Sequence, residues 1–180
     1  MTDTLANYLE IYKKLSERES SEIFSHKGNM QSAHIMGLIF RSSVSHVRMY
    51  VGDFNGDVSN NQFYIEELKD FIDRGGTLDV LIEEDNLIKS DAFTFIQAYS
   101  GFRETVSIKQ ADINKRITFG EEEKPIHFTV GDLDKFRLEL DIENYSGIAS
   151  FNNQEFAHKL ANAFDSLFID ESLRVLSYNR

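Results

Sequence analysis

Residues 126–134 read IHFTVGDLD, and residues 136–140 read FRLEL. Apolar and polar side chains alternate along both runs, and this period of two is typical of half-buried β-strands. Gly131-Asp132 stands between the runs and is typical of a tight turn. The sequence therefore predicts a β-hairpin, with antiparallel pairing in this part of the sheet.

The hairpin is expected to gather polar side chains on one face of the sheet. With a turn at Asp132–Asp134, His127 lies opposite Glu139 and Thr129 lies opposite Arg137. The apolar residues of the two strands point to the other face. We therefore expect His127 and Glu139 to form one of two internal polar pairs.

The residues before the hairpin follow a different pattern. Residues 47–51 and 78–82 are short β-rich runs, and between them apolar side chains recur at helical spacing from Tyr64 to Ile72. Gly75-Gly76 ends that helix. A strand, a helix and a strand within about 35 residues predict a βαβ unit with two parallel strands. The predicted fold class is therefore α/β, a mixed sheet flanked by helices.

The same periodicities predict the remaining elements. Helices are expected near residues 4–18, 29–43, 89–99 and 156–167, and strands near residues 105–109, 117–119 and 148–151. Residues 16–28 are expected to form a connection, and residues 173–176 a short strand or a tail. Asn152 and Glu155 predict a capping box before the last helix. The helix at 4–18 has a narrow apolar stripe, which packs on its own domain or contacts a partner.

The composition restricts the class of protein and of partner. At 180 residues, with 41% hydrophobic residues and one proline, the chain suits one globular domain. Its net charge of −11 repels phosphate backbones, so nucleic acid is disfavoured as a partner. It contains no cysteine, which excludes disulfides and thiolate metal sites. Without an apolar run of membrane-spanning length or a secretory signal, we expect a cytoplasmic protein and no membrane contact.

Acidic residues follow the predicted parallel strands, at the edge of the sheet where ligands bind in α/β folds. They are Asp53, Asp57, Glu83, Glu84 and Asp85. Neither their spacing nor that of the histidines is typical of a metal-ligand set. We therefore expect solvated loop carboxylates here, with no metal and no cofactor.

Three stretches resemble one half of a phospholipase D-like domain. Residues 71–84, FIDRGGTLDVLIEE, are similar to a helix-glycine-strand phrase of that superfamily, and residues 147–168 are similar to its closing strand and last helix. Between them, His127 and Asp134 have the spacing of the first and last residues of its H-x-K-x4-D motif. Thr129 stands where that motif has lysine.

The resemblance covers residues 44–168 and implies an organisation and a chemistry. It divides the chain into an N-terminal helical segment, residues 1–43, and a phospholipase D-like domain, residues 44–180, within one compact domain. Active members use two histidines, one that attacks a phosphodiester and one that protonates the leaving oxygen. A chain with one motif implies a homodimer, because only a two-fold interface brings two copies of His127 together.

The missing lysine implies a degenerate site, whose candidate catalytic residues are His127, Asp134 and Glu139. Loss of such an electrostatic stabiliser usually costs about 10²–10³ in rate, and the Glu139 carboxylate would repel the anion that His127 attacks. We therefore expect a protein that is not an enzyme. The predicted function is a non-catalytic binding or regulatory module that acts as a homodimer with a protein partner, in bacterial defence or mobile-element biology.

Two other functions stay open. The first is a phosphodiesterase or nuclease that uses His127 across a dimer interface, with Lys135 or Arg137 in place of the lysine. The second is nucleic-acid binding without cleavage, which would weaken steeply with salt. The roles of the two motif residues stay open as well. His127 is either a structural histidine paired with Glu139 or a residual nucleophile. Asp134 is either a turn residue or a residue that orients a catalytic group.

Overall fold

A computed structural model describes residues 4–53, 57–83, 94, 96, 105–120 and 124–176 of the chain. Its described helices are α1 (Leu5–Glu17), α2 (Asn29–Ser42), α3 (Gln62–Asp73) and α4 (Gln154–Phe168), with a short 3-10 helix at Ile113–Lys115. Its described strands are β1 (Phe24–His26), β2 (His46–Val51), β3 (Thr77–Ile82), β4 (Val106–Gln110), β5 (Thr118–Phe119), β6 (Lys124–Pro125), β7 (His127–Gly131), β8 (Lys135–Asp141) and β9 (Ser146–Ser150).

Seven of these strands form one mixed sheet, in the order β1-β9-β8-β7-β2-β3-β4. β2, β3 and β4 run parallel to one another, whereas the other neighbours pair antiparallel. The predicted α/β class and the mixed sheet are confirmed. The predicted βαβ unit is confirmed as well, because α3 connects the parallel strands β2 and β3.

Two expectations turn out differently, and a third is not tested by the described residues. The sequence predicts a connection over residues 16–28, but Phe24–His26 forms the edge strand β1 beside β9. Residues 118–119 of the run 117–119 pair with β6 in a separate two-stranded ribbon, not in the main sheet. Most of the helix predicted near residues 89–99 lies outside the described residues.

Helices cover both faces of the sheet. On one face, α2 and α3 enclose a core that includes Met49 and Val80, and on the other face α4 encloses a core that includes Phe128 and Leu138. α1 packs on α2 through Tyr12, which is buried, so the apolar stripe of α1 contacts its own domain. In the part of the chain that the structure describes, no helix is both long and apolar enough to cross a membrane. The division at residue 43 stays a prediction.

A carboxylate fixes the turn between β7 and β8. Asp132 and Leu133 have φ angles of 48° and 65°, and the amide of Asp134 donates to the carbonyl of Gly131 at 3.2 Å. Two successive positive φ angles suit hairpin twist but are disfavoured for residues with a Cβ. The Asp132 carboxylate accepts hydrogen bonds from three successive amides, at residues 44–46 (2.5, 2.9 and 2.9 Å). This clamp holds the turn and thereby the register of the hairpin.

Candidate functional site

A cavity of about 370 Å³ opens between helices α2 and α3 and the face of the sheet that carries His127. Its apolar lining includes Met36, Met49, Val51, Val58, Phe128 and Ile142. Its polar lining includes Asp53, Ser59, Tyr64, Glu83, Arg116, His127, Thr129, Arg137, Glu139 and Tyr145. The cavity therefore contains the polar cluster that the hairpin predicts.

The predicted register of the hairpin is confirmed. His127 pairs with Glu139, and Thr129 pairs with Arg137, across β7 and β8. All four residues are buried, with exposed fractions of 8% or less. The alternation of the two strands therefore places a polar layer inside the protein, as the sequence indicates.

His127 lies between two carboxylates. Its Nδ1 is 3.6 Å from Glu139 Oε2, and its Nε2 is 3.7 Å from Glu83 Oε2. The backbone of Gly52 also approaches the ring, because a Cβ at that position would lie 2.6 Å from Cε1 of His127. Glycine at position 52 thus gives the imidazole its space at the end of β2.

The two carboxylates control the charge of the imidazole. Burial by itself lowers the pKa of His127, but Glu139 and Glu83 outweigh burial and hold that pKa above its ordinary value. Burial tends to raise the pKa of Glu139, yet Arg137 and His127 hold it below its ordinary value. The arrangement therefore favours an imidazolium between two carboxylates. An imidazolium has no free lone pair, so it can donate a proton but cannot attack phosphorus.

Glu83 is a residue of the site that its sequence pattern does not reveal. The expectation of a solvated loop carboxylate is wrong for Glu83, which is 8% exposed. Tyr50 Oη donates a hydrogen bond to Glu83 Oε1 at 2.7 Å, and Arg116 Nη2 pairs with Glu83 Oε2 at 2.9 Å. Burial tends to raise the pKa of Glu83, but His127, Tyr50 and Arg116 hold it below its ordinary value. Its one sequence signal is its place directly after a buried strand.

Arg137 contributes a buried guanidinium to the cavity wall. Its Nη2 donates to Glu139 Oε1 at 2.6 Å and to Ser32 Oγ at 2.9 Å. Arg137 is also the cross-strand neighbour of Thr129, which occupies the position of the motif lysine. The positive charge near that position is therefore already paired with a carboxylate of the protein.

Two other candidates lie at the far end of the hairpin. Asp134 is in the turn, and its Oδ1 is 2.7 Å from Lys135 Nζ. Lys135 pairs with Gly131 across the strands, at the opposite end of β7 from His127. The structure thus separates both residues from His127, and the assignment of Asp134 to the site stays a prediction.

The start of α4 has a local structural explanation. Glu155 is exposed and pairs with Lys159 at 2.7 Å. Asn153 Oδ1 accepts a hydrogen bond from the amide of Phe156 at 3.0 Å, so Asn153 is the N-cap and the predicted cap at Asn152 is wrong by one residue. Glu155 lies in the first turn of α4, where a carboxylate interacts favourably with the helix dipole, so its position is explained by the helix alone.

Four buried polar atoms of the cavity-lining residues have no hydrogen-bond partner among the described protein atoms. They are Tyr64 Oη, Thr129 Oγ1, His127 Nε2 and Arg137 Nε. Leaving a buried polar group without a partner costs about 1–3 kcal/mol, so such groups are uncommon. Burial raises the pKa of Tyr64, so its hydroxyl keeps its proton and can donate. His127 Nε2 faces Glu83 at 3.7 Å, so the other three atoms give the cavity a hydrogen-bonding capacity that the described residues do not use.

The charged side chains that line the cavity are balanced. Asp53, Glu83 and Glu139 are acidic, whereas Arg116, Arg137 and the imidazolium are basic. Within the described ranges, no group of three or more histidine, aspartate and glutamate side chains could hold a metal ion. Among its described residues, the site therefore has neither the excess positive charge that holds a phosphate nor a recognisable set of metal ligands.

Neither protein-family models nor curated proteins match this chain. Solved structures do match it. It is similar to the phospholipase D family member Nuc from Salmonella typhimurium, with a TM-score of 0.58 and 12% identity over 87% of this chain and 100% of Nuc. It is similar to NucT from Helicobacter pylori, with a TM-score of 0.56 and 8% identity over 87% of this chain and 100% of NucT.

A third similarity is to a protein with a different description. TrmBL2, an archaeal chromatin protein, aligns with a TM-score of 0.59 and 14% identity over 89% of this chain, which spans 57% of TrmBL2. At identities of 8% to 14%, these three matches show a common fold. The chain therefore has the phospholipase D-like fold, as the resemblance in its sequence implies.

Proposed function

We propose that the protein is a non-catalytic binding module built on the phospholipase D-like fold. The observation that carries this proposal is the environment of His127, which lies between Glu83 and Glu139 with Thr129 in place of the motif lysine. A nucleophilic histidine needs a neutral nitrogen, a substrate anion beside it and a cation to hold that anion. Here both ring nitrogens face carboxylates instead.

The charges around the imidazole oppose phosphodiester cleavage in a second way. A phosphodiester carries a negative charge, which two buried carboxylates at 3.6 and 3.7 Å from the ring would repel. Arg137 cannot take over the role of the lysine without giving up its ion pair with Glu139. Breaking a buried ion pair of this kind costs about 3–5 kcal/mol, which a substrate contact would have to offset.

The proposal includes a homodimer with a protein partner. The chain carries the spacing of His127 and Asp134 once, and a two-fold assembly is the commonest arrangement of identical chains. The net charge of −11 favours a protein over a nucleic acid as the partner. A sedimentation experiment on the purified chain tests the dimer, and a monomer at micromolar concentration would contradict it. The cytoplasmic location and the role in bacterial defence stay predictions.

The rival function is a phosphodiesterase in which the imidazolium protonates the leaving oxygen. One observation favours it, because the raised pKa of His127 suits a general acid and Arg137 lines the same cavity. The two functions differ in what they predict for hydrolysis, and a single assay separates them.

The assay uses single-stranded DNA, RNA and bis(p-nitrophenyl) phosphate, with a chelator present, at pH 5 to 8. Wild type is compared with His127→Ala and with His158→Ala, a control histidine on the exposed side of α4. We expect no hydrolysis above the buffer blank from any of the three proteins. Hydrolysis by wild type and by His158→Ala that disappears in His127→Ala would overturn the proposal and establish the rival.

A further inference from the structure

The cavity beside His127 has features of a small-molecule site whose ligand differs from a phosphodiester. We propose that it binds a small uncharged molecule that carries hydroxyl or carbonyl oxygens. This inference rests on the proposed non-catalytic function and goes beyond it, because it gives the cavity a small-molecule ligand in addition to the protein partner.

The charges of the cavity wall favour an uncharged ligand. Arg137 is paired with Glu139 at 2.6 Å, Arg116 with Glu83 at 2.9 Å, and His127 lies between the two carboxylates. A charged ligand would lose its hydration on entering the cavity and would find each of these cations already compensated. An uncharged ligand avoids this cost.

The cavity wall also offers hydrogen-bonding groups to a ligand. Tyr64 and Thr129 each place a hydroxyl in the cavity wall with no partner among the residues that the structure describes, and each is 1% exposed. Arg137 Nε adds a donor in the same condition. The charge of Arg137 acts on the Tyr64 hydroxyl, and Thr129 is the cross-strand neighbour of Arg137. The three residues therefore form one group. A hydroxyl both donates and accepts, so the group suits hydroxyl and carbonyl oxygens of a ligand.

The size and the apolar surface of the cavity suit a small molecule. The volume of about 370 Å³ falls within the range of roughly 300–1,000 Å³ that is typical of small-molecule sites. Met36, Met49 and Val58 line the cavity together with the polar group. Such walls pack against the C–H groups of a ligand while the hydroxyls fix its orientation.

The experiment compares matched compounds that differ only in charge. The probes are glycerol, glycerate and glycerol 3-phosphate, then ribose, ribonate and ribose 5-phosphate, then glucose, gluconate and glucose 6-phosphate. Binding to the full chain is measured by saturation-transfer NMR and confirmed by titration calorimetry. We expect at least one of the uncharged compounds to bind. The acid and the phosphate with the same carbon skeleton should bind at least tenfold more weakly. Preference for a charged member, or binding of no compound at 10 mM (about 2.7 kcal/mol of binding free energy), would overturn the inference.

Two variants locate the site for whichever probe binds. Tyr64→Phe and Thr129→Val each remove one hydroxyl with little change of shape, so we expect about three- to tenfold weaker binding. Thr118→Val, on the exposed strand β5, is the control and leaves affinity unchanged. Equal affinity of all four proteins would place the ligand elsewhere and would contradict the inference. Wild-type selectivity decides the ligand class even if a variant does not fold.

This test and the hydrolysis assay fail separately. Hydrolysis that depends on His127 would refute the non-catalytic function whatever binds. If no hydrolysis is found and only charged probes bind, the non-catalytic function stands and the ligand class is wrong.

Discussion

Two buried tyrosines differ in one hydrogen bond and so provide a matched comparison. Tyr50 and Tyr64 are at most 1% exposed, and burial raises the pKa of both hydroxyls. Tyr50 Oη donates to the buried carboxylate of Glu83 at 2.7 Å, whereas Tyr64 Oη has no partner among the described atoms. Replacement by phenylalanine keeps the ring in each case and removes only the hydroxyl.

The two replacements are expected to change the free energy of unfolding differently. Tyr50→Phe loses a hydrogen bond to a charged group, which contributes about 1.5–3 kcal/mol. Tyr64→Phe removes a hydroxyl that is buried without a partner, so stability is unchanged or rises by up to about 1 kcal/mol. In a chain of this length, about 1 kcal/mol corresponds to roughly 2–4 °C in Tm, so Tyr50→Phe should lower Tm by roughly 3–12 °C.

Urea unfolding at pH 7, followed by circular dichroism, measures both changes against wild type. Equal m-values across the three proteins are required, so that a midpoint shift reports stability alone. A loss of 1.5 kcal/mol or more in Tyr64→Phe would show that its hydroxyl is bonded in the free protein. That result would refute the claim that the cavity wall carries unused hydrogen-bonding groups.

Three further predictions concern the surroundings of the site. Arg137→Met leaves Glu139 buried without its cation and should lower the free energy of unfolding, measured in urea, by about 3–5 kcal/mol. The double variant with Glu139→Gln should recover part of that loss. A loss in the double variant equal to the sum of the two single losses would show that the two residues are not coupled. Asp132→Ala removes the acceptor for three amides and should lower the free energy of unfolding by about 2–4 kcal/mol. The NMR chemical shifts of the amides at residues 44–46 should change as well. Unchanged stability would show that the turn forms without this carboxylate. Burial and Arg137 lower the pKa of His26 to about 3, so protonation of this ring opposes the folded state as pH falls below about 6.5. We expect the free energy of unfolding of wild type to fall by about 2 kcal/mol at pH 5 for this reason, and that of His26→Asn to keep this amount. Parallel curves of stability against pH for the two proteins would contradict this.

Patterns that depend on neighbours in the chain could be predicted from the sequence. The period of two in residues 126–140 determines which side chains share a face, so the pairing of His127 with Glu139 follows once the turn is located. The helix and glycines before residue 77 likewise predict the parallel pair β2 and β3. These local patterns therefore predict the fold class and the part of the site that the hairpin supplies.

The rest of the site depends on contacts between distant segments. Glu83 is a site residue because Tyr50 and Arg116 reach it, and no spacing in the sequence indicates those contacts. The turn offers two aspartates, and only the backbone conformation decides that Asp132 binds the amides of residues 44–46. β1 has three residues, which is too short to show a period.

His127 also contributes to stability with a definite sign. Because its pKa is raised in the folded protein, the stabilisation that it provides is fully present below about pH 6.5 and is lost as pH rises through the higher pKa of the folded state. Glu139 and Glu83, whose pKa values are lowered, contribute stability above about pH 4.5 that is lost in acid. Together these shifts predict that the cluster stabilises the fold most between about pH 4.5 and 6.5.

The most direct test of the account is the protonation of His127. An NMR titration of the imidazole resonances, assigned by comparison with His127→Gln, reports the pKa of this ring in the folded protein. We predict that the two carboxylates raise the pKa of His127, so that the ring titrates above its ordinary pH of about 6.5. A ring that titrates at or below pH 6.5 would be a neutral imidazole with a lone pair free for attack, and that result would contradict the claim that Glu83 and Glu139 prevent His127 from acting as a nucleophile.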